Sequence, residues 1–372
     1  MIYLDNAATT FPKPPRVVEA LTTCVTQYGG NPGRGAHPLS LLCAEKVYDC
    51  RVALAAFFGA ECPERILFTH NTTHALNLAI KGLFGKGDHV LISELEHNAV
   101  RRPLCALHQA QGVSFERFPV VGRSVSQILS GIRSRLRPNT KGVICTHASN
   151  VCSLALPLAE IGAFCRTRSL FFVVDAAQSA GHLAIDMQQM QISALAAPAH
   201  KALYGIQGVG VLALRDGIEL PTLIEGGSGV DSLAAEMPTL PPERYESGTL
   251  PTPGIVALAA GLDFVRDYGL PCIAAQEIAL FRAARERLEG LPQITVYQRE
   301  QEGAVLLFNH NTYSPEEIAH RLARENICVR AGYHCAPLAH EALGTLSRGA
   351  VRLSFGLFNT VSDLDALWKA LR

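Results

Sequence analysis

Short apolar runs alternate with longer, helix-periodic segments from residue 65 to residue 174. Runs of this length that end on polar or turn residues are typical of buried strands. The predicted strands are 65–69, 89–93, 113–118, 142–147 and 171–174. The helices predicted between them are 72–81, 97–109, 125–136 and 158–166. Because this alternation favours parallel strands joined by crossing helices, we expect an α/β fold with a mostly parallel sheet covered on both faces.

A smaller α/β unit is predicted after this one. The chain has 372 residues, enough for two domains. Residues 221–253 are rich in Gly, Pro and Ser and are predicted to be a functional or interface loop. Helices are expected at 14–28, 39–58, 255–268 and 272–288, with short strands and helices from 294 onward. We therefore predict a large domain at 1–253 and a small domain at 254–372, with residues 1–20 packing on the small domain.

Composition excludes several classes of protein. Hydrophobic residues make up 48% and charged residues 18%, which indicates a globular chain. Lys+Arg and Asp+Glu both number 33, so no overall charge favours nucleic acid or an anionic membrane. The eleven cysteines include no C-x-x-C pair, and no metal site is predicted. The odd cysteine count, and the absence of a signal peptide or an apolar run that spans a bilayer, predict a cytoplasmic protein.

The stretch 169–201 carries the first indication of chemistry. Its apolar run ends on Asp175, at the edge where open α/β sheets hold ligands, and Lys201 follows on the next buried segment. Asp175 could merely cap a turn, Gln178 could be a surface amide, and Lys201 could be an exposed lysine. Together, an acid and a lysine at one ligand suggest pyridoxal phosphate (PLP). The acid would pair with the pyridinium nitrogen, the amide with the phenolic oxygen, and the lysine would form the Schiff base.

Two further segments follow predicted strands. Thr72 and Thr73 begin a helix after Asn71, which is ordinary N-capping or a phosphate site at a helix N-terminus. His97 follows the strand that ends at Ser93, and is either structural or a ring that stacks on an aromatic cofactor.

The C-terminal region contributes a thiol and two arginines. Cys335 lies in a Gly- and Pro-flanked polar segment near Arg330 and His334, where positive neighbours would favour the reactive thiolate. Most free cysteines are instead inert core residues. Arg352 interrupts an apolar strand, and a buried arginine needs a partner such as a substrate carboxylate.

These motifs, taken in order, resemble the PLP-dependent class V aminotransferase superfamily of fold type I, and within it the cysteine desulfurase/selenocysteine lyase group. The resemblance runs nearly end to end. The segments that carry it are 3–10, 31–35, 96–98, 149–151, 175–178, 200–201, 245–249, 334–336 and 351–354. The short spacing from Cys335 to Arg352 resembles the branch with a short cysteine loop, which includes selenocysteine lyase-like enzymes.

The resemblance implies a role for each matching residue. Lys201 would hold PLP and move the α-proton, and Cys335 would take the sulfur. The remaining implied positions are Asp175 and Gln178 on the PLP ring, His97 stacked on it, Thr72, Thr73 and His200 at the phosphate, Asn150 near cofactor and substrate, Arg352 and Arg330 for the substrate, and Thr249 reaching the phosphate of a neighbouring subunit. A homodimer is therefore implied.

The implied reaction converts L-cysteine, and by extension L-selenocysteine, to L-alanine. Sulfur would pass to Cys335 as a persulfide and then to a separate acceptor protein, as in iron-sulfur cluster assembly. A second hypothesis is transamination or another β-elimination that uses Lys201, Asp175 and Arg352 but not Cys335. A third is a binding protein that keeps the fold without catalysis.

Overall fold

The computed structural model describes residues 1–33, 35–297 and 302–372, so Arg34 of the polar loop at 31–35 lies outside the described residues. The strands, in chain order, are β1 (Ile2–Tyr3), β2 (Ile66–Thr69), β3 (His89–Ser93), β4 (Ser114–Phe118), β5 (Thr140–Thr146), β6 (Phe171–Asp175), β7 (Ala194–Pro198), β8 (Gly210–Leu214), β9 (Ile294–Tyr297), β10 (Val305–His310), β11 (Ile327–Cys328), β12 (Arg330–Gly332) and β13 (Ala350–Ser354). The helices are α1 (Pro15–Thr23), α2 (Pro38–Phe58), α3 (Thr72–Leu83), α4 (Asn98–Gln111), α5 (Val125–Arg133), α6 (Leu158–Arg166), α7 (Thr252–Tyr268), α8 (Leu270–Glu289), α9 (Pro315–Arg324), α10 (Pro337–Ala342) and α11 (Val361–Leu371).

The larger sheet is mostly parallel, as predicted. Within the described residues it has seven strands in the order β2-β8-β7-β6-β5-β3-β4. The run from β7 to β4 is parallel, while β8 is antiparallel to both of its neighbours. The chain is thus α/β with a mixed sheet, and the carboxyl ends of its parallel strands share one edge.

The middle strand β6 shows why the apolar run predicts a buried strand. Phe172, Val173 and Val174 are completely buried, because helices cover both faces of the sheet. Burying each such side chain contributes roughly 1.5–3 kcal/mol. Asp175, the last residue of β6, is 3% exposed and lies where these apolar contacts end.

Several boundaries differ from the predicted ones. The helix expected at 14–28 is α-helical only to Thr23 and continues as a π-helical turn, Cys24–Tyr28. The buried segment before Lys201 proves to be the strand β7, for which no separate prediction was made. Residues 221–251, all of them described, contain turns and bends but no helix or strand.

The C-terminal region builds a second sheet. Its antiparallel order in the described chain is β12-β13-β10-β9, covered by α8, α9 and α11. The N-terminal strand β1 pairs in parallel with β11, so the first residues contact this region. The α7 side chains Ile255, Leu258 and Leu262 pack into the core under the larger sheet. The domain boundary between residues 253 and 254 stays a prediction.

Candidate active site

One cavity collects most of the residues singled out in the sequence. It lies at the carboxyl ends of β5, β6 and β7 and at the start of α3 and α4. Its walls include Thr72, Thr73, His97, Asn150, Asp175, Gln178, His200 and Lys201. These residues come from segments far apart in the chain, and the parallel sheet brings them together because its strands end at one edge.

Lys201 has a lowered pKa. Removal from water lowers the pKa of its amine to about 8, Asp175 and Asp5 act in the opposite direction, and Arg352 and Arg330 reinforce the lowering. A larger fraction of the amine is therefore neutral near neutral pH than in an ordinary lysine, which suits condensation with an aldehyde and proton transfer.

The N-terminal segment fixes the backbone next to this lysine. The carbonyl of His200 accepts hydrogen bonds from the Thr10 amide (3.1 Å), the Thr9 hydroxyl (3.0 Å) and the Lys13 amine (2.8 Å). The Thr10 hydroxyl also donates to the Lys201 carbonyl at 2.9 Å. Sequence reasoning assigned no role to these residues. The dense small polar groups at 5–10 were the available signal.

Asp175 and His97 form an electrostatic pair. Burial raises the pKa of Asp175, while His97, the Ala177 N–H and Lys201 oppose that rise. Burial likewise lowers the pKa of His97. Oδ1 of Asp175 accepts from Ala177 N at 2.9 Å, and Nδ1 of His97 accepts from Ala99 N at 3.0 Å. His97 therefore carries its proton on Nε2 if it is neutral.

Glu96, next to His97, is completely buried behind the cavity. Its Oε1 accepts from Thr146 N at 2.9 Å and from the Ser93 hydroxyl. Burial raises the pKa of this carboxyl to about 8. Glu96 thus ties the ends of β3 and β5 together.

The start of α3 can hold an anion. Asn71 caps this helix by accepting from His74 N at 2.9 Å. Among the described side chains, Thr72 Oγ1 and His200 Nδ1 are buried polar atoms without a hydrogen-bond partner, and both residues line the cavity. Unpartnered polar atoms beside a helix N-terminus fit a phosphate group. The residues present therefore fit the phosphate group of PLP, the cofactor that the sequence predicts.

Two arginines and one aspartate lie beside the cavity. Arg352 is 2% exposed and donates to Asp5 Oδ1 at 2.9 Å and to the Asn150 carbonyl at 3.0 Å. Its Nε is buried and without a partner within the described chain. Arg330 is bound by the same carboxylate, at 2.8 Å to Oδ2. Nε of Arg352 is thus available to a further acceptor. Nε and Nη2 of Arg330, in contrast, both donate to Asp5.

Cys335 is exposed and lies in the loop between β12 and α10. Its carbonyl accepts from Asn98 N at 2.8 Å, and the carbonyl of His334 accepts from Asn150 Nδ2 at 2.7 Å. These two contacts hold the thiol-bearing loop against residues that flank the cavity.

Thr249 is the one predicted site residue that lines a different cavity. Its neighbours there include Asn31, Gly33, Arg51 and the loop 227–230. Within one chain the structure therefore does not bring Thr249 together with Lys201.

Known proteins match the chain over nearly its whole length. The family model of class V aminotransferases matches residues 2–367. A probable cysteine desulfurase of Halalkalibacterium halodurans is 33% identical over 379 residues, which cover 100% of this chain and 92% of the relative. A cysteine desulfurase of Salmonella dublin is 30% identical, covering 99% of this chain and 91% of the relative.

Solved structures show the same fold. The apo cysteine desulfurase of Thermococcus onnurineus NA1 has a TM-score of 0.90 and 31% identity, covering 100% of this chain and 93% of its own. The cysteine desulfurase CsdA of Escherichia coli, in an S-sulfonic acid form, has a TM-score of 0.88 and 26% identity, covering 99% and 93%.

Proposed function

The chain belongs to the PLP-dependent class V aminotransferase family, in its cysteine desulfurase group, and on that premise we propose that it converts L-cysteine to L-alanine and takes the sulfur onto Cys335. The observation that carries the proposal is the exposed thiol of Cys335 in a loop bound by Asn98 and Asn150, because Asn150 also lines the cavity that holds Lys201 and Asp175.

The residues that line the cavity would bind different parts of the cofactor. Asp175 would pair with the ring nitrogen, Gln178 with the phenolic oxygen, and His97 would cover the ring. Thr72, Thr73 and His200 would hold the phosphate. Bound PLP supplies an electron sink for charge that develops at the substrate α-carbon.

The substrate carboxylate binds to Arg352. Its buried Nε has no partner among the described residues, and a carboxylate there would complete its hydrogen bonding. Asn150 contacts Arg352 through its carbonyl and the cysteine loop through its side chain, so it links the carboxylate site to the thiol. The Lys201 amine removes the α-proton.

Sulfur transfer then takes place between two thiol groups. The Cys335 thiolate attacks the substrate sulfur, an S–S bond forms, and the Cβ–S bond breaks. The electron pair of that bond stays with the carbon fragment, which takes up protons and leaves as alanine. Cysteine and the Cys335 thiol thus give alanine and a Cys335 persulfide, with no external oxidant. Holding both sulfur atoms in one site makes the step effectively unimolecular.

Cys335→Ala tests the assignment directly. Alanine release from L-cysteine should stop, while cofactor binding and the thermal midpoint stay as in the wild type. L-selenocysteine is a second substrate to assay, since selenium leaves more readily and its cleavage can proceed without the thiol. Full turnover of L-cysteine by Cys335→Ala would show that the chain performs the alternative chemistry, transamination or β-elimination without a thiol.

The working unit in this proposal is a homodimer in which Thr249 reaches the phosphate of the partner. Support comes from the separate cavity that Thr249 lines and from the exposed apolar side chains of Leu41, Tyr48 and Val52 on α2 beside it. Mixing inactive Lys201→Ala protomers with Thr249→Ala protomers should restore activity, because one site of each mixed dimer is complete. Unchanged activity after mixing would exclude this role.

The exposed thiol also supports a role for an acceptor protein. The persulfide would pass to that protein in the cytoplasm, for uses such as iron-sulfur cluster assembly. Turnover of L-cysteine by the isolated chain should be slow and should rise when a small reducing thiol is added. A rate that does not respond to the thiol would argue against a persulfide that waits for an acceptor. The described part of the chain has no helix that is both long and apolar enough to cross a bilayer.

A further inference from the structure

A chain of buried polar groups includes His334, the residue that precedes Cys335. Oγ1 of Thr345 is 2.7 Å from Nδ1 of His340, Nε2 of His340 is 3.0 Å from Nδ1 of His334, and Nε2 of His334 is 3.3 Å from the carbonyl of Arg330. Thr345 and His340 are at most 1% exposed, and His334 is 9% exposed. The two rings lie edge to edge, with planes 15° apart.

The direction of every hydrogen bond in this chain follows from its last acceptor. The Arg330 carbonyl can only accept, so His334 carries its proton on Nε2 and its Nδ1 accepts. His340 must then donate from Nε2, and its Nδ1 accepts from the Thr345 hydroxyl. This assignment leaves both rings neutral. Burial agrees with it, because it lowers the pKa of His334 to about 3 and that of His340 to about 4.

The opposite direction fails at the last step. If His340 donated to Thr345, His334 would donate from Nδ1, and its Nε2 lone pair would face the Arg330 carbonyl. The Thr345 hydroxyl is also 3.4 Å from the His340 carbonyl, a longer contact than the 2.7 Å to the ring. Because the Arg330 carbonyl only accepts, one tautomer of each histidine completes every hydrogen bond in the chain.

The chain ends on a strained piece of backbone. His334 and Cys335 have φ values of 51° and 54°, the left-handed region that residues with a Cβ rarely adopt. Such a conformation persists only when its surroundings hold it. Asn150 and Asn98 donate to the carbonyls of these two residues, and His340 donates to the ring of His334.

We propose that Thr345 and His340 are positioning residues for the sulfur-accepting thiol: their fixed hydrogen-bond direction locks His334 and so keeps Cys335 in its left-handed conformation facing the substrate. The inference rests on the proposed function, since it needs Cys335 to be the group that takes sulfur. It extends that function by explaining how an exposed loop can present its thiol in one orientation.

The test replaces one hydroxyl. Thr345→Val keeps the shape of the side chain but leaves Nδ1 of His340 buried without a donor, and Thr345→Ser restores the hydroxyl. We expect Thr345→Val to lower kcat for L-cysteine about tenfold, as for a slightly misplaced reacting group. KM should stay within about twofold of wild type, because the carboxylate site at Arg352 is untouched. Thr345→Ser should recover most of kcat.

The chain offers a matched control at the opposite edge of the large sheet. Thr140 Oγ1 lies 2.9 Å from Nδ1 of the fully buried His89, where β3 and β5 begin. Thr140→Val removes the same kind of hydroxyl contact to a buried histidine far from the thiol, and it also removes the acceptor of Arg137 N (2.7 Å). It should lower the thermal midpoint but keep the wild-type kcat.

A second readout does not depend on turnover. The rate of Cys335 alkylation by iodoacetamide, followed by mass spectrometry of the holoenzyme, should change at least about threefold in Thr345→Val, because access and orientation set thiol reactivity. If Thr345→Val does not fold, Thr345→Ala serves in its place.

The outcomes separate the two proposals. If Thr345→Val equals Thr140→Val in both kcat and alkylation rate while Cys335→Ala is inactive, the positioning role is wrong and the proposed function stands. If Cys335→Ala retains full turnover of L-cysteine, the proposed function fails and the inference fails with it.

Discussion

Replacing Arg352 by Gln should remove the recognition of the substrate carboxylate. Arg352 is 2% exposed, and its side chain has one donor without a partner in the described chain and two others bound to Asp5 and Asn150. Gln keeps polarity but loses the charge and the planar fork. Asp5 keeps its contacts with Arg330, so no buried anion is left unpaired. The main loss is therefore one of binding rather than of folding.

The magnitude follows from the number of contacts. A hydrogen bond to a charged group contributes about 1.5–3 kcal/mol, and each 1.4 kcal/mol is a factor of ten in binding. Losing one to two such bonds predicts a fall in kcat/KM of about 100-fold, mainly through KM. Arg330→Gln is the comparator. Because Arg330 is bound to Asp5, its loss acts on the substrate only through Arg352, and we expect a fall of about tenfold or less.

The assay compares L-cysteine with cysteamine, which has the same thiol and amine but no carboxylate. Initial rates of sulfide release give kcat/KM for both compounds, with the thermal midpoint and bound PLP measured in parallel. The wild type should prefer cysteine strongly, and Arg352→Gln should lose nearly all of that preference. A variant that still prefers cysteine as the wild type does would refute the carboxylate assignment. A larger effect from Arg330→Gln would move the assignment to Arg330.

Three further predictions concern the titrating and paired groups. Because the pKa of Lys201 is lowered to about 8, the rate of PLP uptake by cofactor-free protein should rise with pH through about 8 and then level off. With an ordinary lysine the rate would still be rising near pH 10. Stopped-flow absorbance measures this rate. Burial raises the pKa of Glu96 from 4.5 to about 8, so folding favours the protonated carboxyl and its stabilisation is lost as pH rises from 4.5 through 8. The thermal midpoint of Glu96→Gln should therefore rise relative to that of the wild type across this range. A constant difference between the two midpoints would contradict this. Glu246→Gln leaves Arg51 buried without its anion and should lower the free energy of unfolding in urea by about 3–5 kcal/mol. Glu341→Gln, which breaks the exposed ion pair with Arg117, should change it little. Equal effects would show that burial does not matter here.

Local sequence patterns were enough to predict the strands and helices of the large sheet and several side chains at its ligand-binding edge. The apolar run before Asp175 predicts a buried strand because burial on both faces requires it, and an acid at its end must lie at the edge of the sheet. The helices between the strands could be predicted from the spacing of their apolar residues, because each helix buries one face against the sheet. His97 and Thr72 could be selected because each follows a predicted strand and therefore lies at that edge, and Lys201 because it follows the next buried segment after Asp175.

Contacts between segments far apart in the chain could not be predicted from the sequence. Nothing local in the sequence indicates that Asp5 binds Arg352, or that Thr10 donates to the carbonyl of Lys201. These contacts depend on β1 pairing with β11 and on the N-terminal segment then crossing the cavity. A two-residue strand has too few residues to show a period, so its position is decided by its partner.

Sequence alone thus determined the fold class, because strand and helix patterns are local, and the family with its PLP cofactor, because its motifs occur in a fixed order along the chain. Tertiary structure alone decided which groups are paired. It placed Asp5 between Arg330 and Arg352, ordered the hydrogen bonds from Thr345 to the Arg330 carbonyl, and kept Thr249 out of the Lys201 cavity. The physical reason is that a hydrogen bond or ion pair needs atoms within about 3 Å of each other, and only the packed chain brings distant segments that close.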